Sequence, residues 1–135
     1  AFETNVRLAR LYLSFNQIEN ISFENLPSLK ELYIPHNRIK LVKNGTFKNL
    51  FKLEILSLRW NLIKKIDINA FQNLTELRNL FLTGNAIEQL KFLDDLPNLI
   101  ELELMSNKIK FIEMIYFRFL FKLQTIRFAS NNLDL

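Results

Sequence analysis

One histidine, no cysteine and a single adjacent pair of aspartates are what this chain offers to catalysis. Without cysteine, and with His36 alone, neither a Cys/His nucleophile pair nor a zinc-ligand set can be assembled within the chain. Asp94 and Asp95 are neighbours in sequence, but no histidine or glycine-rich loop lies near them, and they read as the start of a short helical turn. No phosphate-binding loop or dinucleotide motif is present. His36 has no nucleophile or orienting acid in its own segment. The chain is therefore expected to be non-enzymatic, with no metal and no cofactor. Two other kinds of residue stand out instead. Tyr12, Phe15, Tyr33, His36, Ile55, Arg59, Trp60 and Phe81 recur at related places in successive segments, and aromatic and arginine side chains are the types that dominate recognition hot spots. Asn20-Ile21-Ser22, Asn44-Gly45-Thr46 and Asn73-Leu74-Thr75 are N-glycosylation sequons.

What places these residues is a periodic pattern. The string L-x-x-L-x-L-x-x-N-x-I, with apolar equivalents at some positions, starts at Leu8, Leu29, Leu53, Leu77, Leu99 and Leu123. Its asparagines, Asn16, Asn37, Asn61, Asn85, Asn107 and Asn131, are spaced 21, 24, 24, 22 and 24 residues apart. In the third copy Leu56 and Leu58 alternate with Ile55, Ser57 and Arg59, the period of a short strand with one buried face. A strand that short cannot bury its face alone, so copies must stack into a parallel sheet with one continuous core. The asparagine amide can donate and accept, which suits it to backbone groups freed where the chain leaves the strand. A ladder of asparagines between neighbouring copies is expected, and Gly84 before Asn85 suits a tight turn.

The return path repeats as well. An apolar residue follows the first five asparagines at Ile21, Val42, Ile66, Leu90 and Ile112. Phe2, Phe23, Phe47, Phe71 and Phe117 precede the leading leucines, with Leu93 in that place in the fifth copy. Leu26, Leu50, Leu74, Leu96 and Leu120 form a further column, which Asn5 breaks in the first copy. The phenylalanines are expected to stack, each burying about 150–250 Å².

This pattern is that of the leucine-rich repeat, and the 24-residue copies resemble the "typical" subtype of animal extracellular receptors, such as Toll-like receptor, Slit-like and proteoglycan ectodomains. The resemblance covers essentially the whole chain. It implies an α/β fold: a leucine-rich repeat right-handed solenoid with a parallel concave β-sheet and irregular convex segments. Residues 1–135 are read as one domain of six repeats, an uncapped fragment of a longer solenoid whose cysteine-rich caps lie outside it. The function so implied is recognition of a protein ligand or co-receptor, in innate immunity or cell adhesion, by a glycoprotein that is secreted or forms the extracellular part of a membrane protein. The shorter 21- and 22-residue copies keep an alternative open, a cytoplasmic scaffold or enzyme-regulatory subunit. Self-association through exposed solenoid ends is a further alternative.

The outward positions of each strand form four columns. They read Arg10, Glu31, Ile55, Asn79, Glu101, Thr125, then Tyr12, Tyr33, Ser57, Phe81, Glu103, Arg127. The third is Ser14, Pro35, Arg59, Thr83, Met105, Ala129, and the fourth Phe15, His36, Trp60, Gly84, Ser106, Ser130. Aromatics crowd the first four copies, so a concave patch centred on Trp60 and Tyr33 is the expected ligand site. The net charge is +4, with Arg38, Lys40, Lys64, Lys65, Lys108 and Lys110 along the edge after the asparagines, interrupted by Glu19 and Glu88. This edge is read as a solvated face. No nucleic-acid module appears and no nucleic-acid partner is expected. No apolar run approaches the length of about 18 residues that a membrane span needs. Phe119 and Phe121 exceed what the core requires and are expected at the surface.

Overall fold

The computed structural model describes residues 5–23 and 25–134. Six three-residue strands lie side by side in one parallel sheet: β1 (Arg10–Tyr12), β2 (Glu31–Tyr33), β4 (Ile55–Ser57), β6 (Asn79–Phe81), β7 (Glu101–Glu103) and β8 (Thr125–Arg127). The register pairs Leu11, Leu32, Leu56, Leu80, Leu102 and Ile126 across the sheet, so the central residue of every strand faces the core together. The chain thus forms a parallel solenoid, one strand per turn. Leu29, Leu53, Leu77 and Leu99 are fully buried, while their counterparts at the two ends, Leu8 and Leu123, are only half-buried. That gradient is what a linear stack imposes, since an inner repeat is covered on two sides and an outer one on one.

The asparagine ladder is built through the backbone. Asn61 donates from Nδ2 to the carbonyls of Leu58 and Arg59 in its own repeat and of Ile34 in the preceding one, and its Oδ1 accepts the N–H of Ile39. Asn37, Asn85, Asn107 and Asn131 make the equivalent reach into the repeat before them. Each amide therefore closes the turn of its predecessor. Among the described residues Asn16 bonds only within its own turn, to the carbonyls of Leu13 and Ser14.

On the convex side Phe23, Phe47 and Phe71 stack nearly parallel, with centroids 6.5 and 5.9 Å apart. The next layer departs from the expected column. Leu93 is buried in the phenylalanine place, but the aromatic continuing the stack is Phe92, edge-on to Phe71 at 5.5 Å. Both are buried from the 3-10 turn Lys91–Asp95, where three residues per turn set adjacent side chains about 120° apart rather than on opposite faces as in a strand. Phe117 leaves the stack and meets Phe128 edge-on at 6.5 Å. Phe2 lies outside the described residues. A second 3-10 turn, Met114–Phe117, lies on this side, and no α-helix occurs among the described residues.

Two conformational regularities complete the repeat. The residue before each asparagine takes positive φ: Phe15, His36, Trp60, Gly84, Ser106 and Ser130, between 52° and 76°. Asn25, Asn49 and Asn73 do the same on the return path, at 58°, 67° and 69°, a conformation that asparagine tolerates better than most residues. A second sheet, not anticipated from the leucine pattern, forms on the flank, where β3 (Leu41–Val42) pairs in parallel with β5 (Lys65–Ile66).

Candidate functional site

The outward columns fall where the strand period places them. Arg10, Glu31, Ile55, Asn79, Glu101 and Thr125 are in register, as are Tyr12, Tyr33, Ser57, Phe81, Glu103 and Arg127. Three outward residues are nevertheless buried: Ser57, Thr83 and Glu103. Ser57 is a small side chain between the larger Tyr33 and Phe81 of the neighbouring strands, and the Glu103 carboxylate accepts from both Arg59 and the Thr83 hydroxyl.

The expected ligand residues gather along two lines rather than one patch. The first runs over the strands. Tyr12 and Tyr33 stack face to face, 4.9 Å apart and 2° from parallel. Tyr33 donates its hydroxyl to Glu31 Oε2 at 3.3 Å, while Arg10 Nε donates to Glu31 Oε1 at 3.1 Å. Burial, and then the Glu31 carboxylate, push the Tyr33 phenol above its ordinary value and keep it a donor. The hydrogen bond to Glu31 likewise raises the exposed Arg10 guanidinium. Two strands further on, Arg59 lies 4.0 Å over the Phe81 ring and reaches across it to Glu103, with Nη2 at 2.7 Å and Nε at 2.9 Å from Oε2. Ile55 lies in register between Glu31 and Asn79.

The second line runs along the rim, on the positive-φ residues. Phe15 stacks on His36 at 4.3 Å, and His36 faces Trp60 at 6.3 Å, with planes 5° and 13° apart. Trp60 then lies on Gly84: a Cβ added there would sit 2.2 Å from Trp60 Cε3. The tryptophan ring therefore leaves no room for a side chain at Gly84, whose φ of 76° continues the positive-φ series of the rim. The shared backbone conformation aims these side chains the same way, so rings one repeat apart meet face to face. Trp60 belongs to this rim line and stacks on no residue of the strand line, so the expected centre on Trp60 and Tyr33 resolves into two adjoining ridges. Phe15, Tyr12 and Trp60 remain 78%, 62% and 48% exposed, while Tyr33, Ile55, Arg59 and Phe81 are half-buried. Beyond the fourth copy the face changes character: Arg127 bonds Glu101 at 3.4 Å, and the rim carries Ser106 and Ser130.

The sequon asparagines are all exposed on the return path. Asn20 and Asn73 have exposed hydroxyl partners in Ser22 and Thr75. Asn44 is more engaged: its Oδ1 accepts the N–H of Asn69, and Thr46 is buried with its hydroxyl donated to the Lys43 carbonyl. Asp94 and Asp95 end the Lys91–Asp95 3-10 turn rather than start one. Asp94 bonds Arg118 at 2.7 Å, and Asp95 is held above the usual carboxylate range by burial and by Asp94. No cluster of histidine, aspartate or glutamate suited to a metal occurs among the described residues.

Stacked strands, an amide ladder and an ordered outward face define a repeat-built binding module. A leucine rich repeat family model matches residues 1–39 and 27–87, and the chain belongs to the leucine-rich repeat family. No curated protein sequence matches it. Among solved structures it is similar to TLR13 in a TLR13–ssRNA13 complex, at 29% identity over 93% of this chain and 20% of that one, with a TM-score of 0.84. It is also similar to RP105 in the mouse RP105/MD-1 complex, at 29% identity over 94% of this chain and 22% of that one, with a TM-score of 0.83. Both are leucine-rich repeat ectodomains of animal receptors, and this chain spans about a fifth of the length of either. TLR13 is seen there with ssRNA13, so the lack of a nucleic-acid module in the sequence does not exclude nucleic acid for a chain of this fold. No helix among the described residues is long and apolar enough to cross a membrane.

Proposed function

We propose that this chain is part of a non-enzymatic extracellular receptor or adhesion ectodomain, acting in innate immunity or cell contact, and that it binds a protein partner on the concave face of its first four repeats. The observation that carries this reading is the pair of outward aromatic ridges, Tyr12–Tyr33 with Arg59–Phe81, and Phe15–His36–Trp60, fixed before any partner arrives. Side chains already locked by stacking lose little further entropy on binding. The likeness to receptor ectodomains supports an extracellular place. In that setting Asn20 and Asn73 are the sequons most open to glycosylation, with Asn44 third.

Two measurements test this. The intact mass of protein secreted from eukaryotic cells should fall on N-glycan removal, with the glycan mapping to Asn20, Asn44 or Asn73. An unshifted mass, or no secretion, moves the reading to a cytoplasmic scaffold. Separately, replacing Tyr12, Tyr33 and Trp60 together by alanine should abolish capture of the protein's cell-surface or secreted partner, with the circular dichroism spectrum unchanged. Undiminished capture by that variant sinks the concave site, and capture of RNA in place of protein changes the ligand class.

A further inference from the structure

The charges of the two faces are arranged differently. On the concave face Arg10, Arg59 and Arg127 each hold a carboxylate, Glu31, Glu103 and Glu101 respectively. On the flank after the asparagines the cations outnumber the acids. A groove of about 610 Å³ is lined by Arg38, Lys40, Lys43 and Lys48, with Glu19 as its acidic residue. A second, of about 560 Å³, is lined by Lys64, Lys65 and Lys91, with Asp67 and Glu88. Asn44 lines both, so they adjoin. Among the described residues only Lys65 of these seven cations is in an ion pair, with Asp67 at 3.7 Å. The flank sheet sets their spacing. Lys64 donates its N–H to the Lys40 carbonyl at 3.1 Å beside the β3–β5 pair, so the backbones of these two lysines stand one strand separation, roughly 4.8 Å, apart.

We infer that this flank is a binding surface for a sulfated glycosaminoglycan, a linear polyanion laid across the second and third repeats along the adjoining grooves. The lining side chains decide between polyanions. Between the cations lie Ile21, Leu41, Ile66 and Ile68, and no aromatic residue. Single-stranded nucleic acid is held on aromatic platforms as well as by charge, and here the aromatic ridges are on the other face. A sulfated sugar chain needs only closely spaced cations and a shallow trough. Binding displaces condensed counterions, so it weakens steeply with salt.

The test uses the protein both as secreted and stripped of N-glycans, because Asn20 and Asn44 line the first groove; heparin binding by neither form overturns the proposal. Heparin is the probe. Wild type should bind it with a salt-dependent affinity, and Lys40→Gln with Lys43→Gln should elute at lower salt. By analogy with single-stranded polyanions, at about 0.7 per lost contact, that double variant should lower the slope of log affinity against log salt by about 1.4. Lys52→Gln with Lys122→Gln removes the same charge from exposed residues outside both grooves and should elute with wild type. Trp60→Ala should also elute with wild type, which separates this surface from the concave site. Equal shifts in the two double variants would reduce the effect to net charge and overturn the proposal. So would displacement of heparin by poly(U) RNA at matched charge concentration, whereas failure of poly(U) to compete supports it.

Discussion

Two ladders run side by side through this solenoid, one residue apart, and they obey different rules. The asparagine ladder has one residue type in all six copies. The rim ladder just before it reads Phe15, His36, Trp60, Gly84, Ser106, Ser130, with hardly a repetition. The reason is visible in what each touches. An inner asparagine satisfies backbone groups of two repeats at once, and only an amide has the donors and acceptor to do so. At the rim the fold dictates only the sign of φ, and the side chain points outward. A position where backbone conformation is fixed but side-chain identity is free is where recognition can be written without disturbing the stack.

The largest effect expected from this contrast comes at adjacent residues. Asn61→Ala leaves the carbonyls of Ile34, Leu58 and Arg59 and the N–H of Ile39 without their partner in a buried layer, and should cost about 3 kcal/mol in chemical denaturation. Trp60→Ala should cost about 1 kcal/mol or less, since the ring is half-exposed. Asn16→Ala sharpens the point, for that amide is exposed, bonds among the described residues only within its own turn and can be replaced by water; its loss should stay within about 0.5 kcal/mol. Equal losses at Asn61 and Asn16 would show that the ladder does not work through the neighbouring repeat.

Gly84→Ala is expected to fall between these. Five other copies carry a non-glycine residue at this place with φ between 52° and 60°, so the backbone alone does not demand glycine. The Trp60 ring does, because it occupies the space of a Cβ. The substitution should cost about 1–2 kcal/mol and shift tryptophan fluorescence to the red as the ring is pushed into water. In a Trp60→Ala background the cost should shrink by about 1 kcal/mol, a coupling of the size found between residues in contact. An unchanged cost in that background would return the requirement to the backbone.

The leucine positions, the parallel sheet and the outward columns were legible in the sequence because each follows from a fixed period and one buried face. So was the amide ladder, though not its route: a pattern of asparagines shows that a polar group must be satisfied, not which repeat supplies the carbonyl. What escaped had no period. Phe92 replaces a column residue by using a 3-10 turn where the copy is short. Arg59 meets Glu103 across the intervening repeat, and opposite charges two copies apart in neighbouring columns were the one available hint. The division of the aromatics into two ridges depends on left-handed residues at the rim. Asn25, Asn49 and Asn73 carried that signal on the return path, where asparagine recurs before an inward leucine. At the rim itself the residue types disguised it.

The smallest effect tests whether a return-path position follows the ladder's rule or the rim's. Asp95 takes, in the fifth copy, the place of Asn25, Asn49 and Asn73, four residues before the leading leucine. Its Oδ2 is buried with no hydrogen-bond partner among the described residues. Burial first, and the Asp94 carboxylate second, hold its pKa above 3.8. The sign follows from linkage: a carboxyl with a raised folded-state pKa stabilises the fold below the unfolded value, and that contribution is lost as pH rises through the folded value. At neutral pH the ionised Asp95 is therefore a liability, and Asp95→Asn should raise the melting temperature at pH 7. The gain should shrink toward zero by about pH 3, below both the ordinary carboxyl value and the raised folded one. A gain of the same size at both pH values would assign it to packing or hydrogen bonding of the amide, and the position would then belong with the ladder, where the amide itself is what the fold requires.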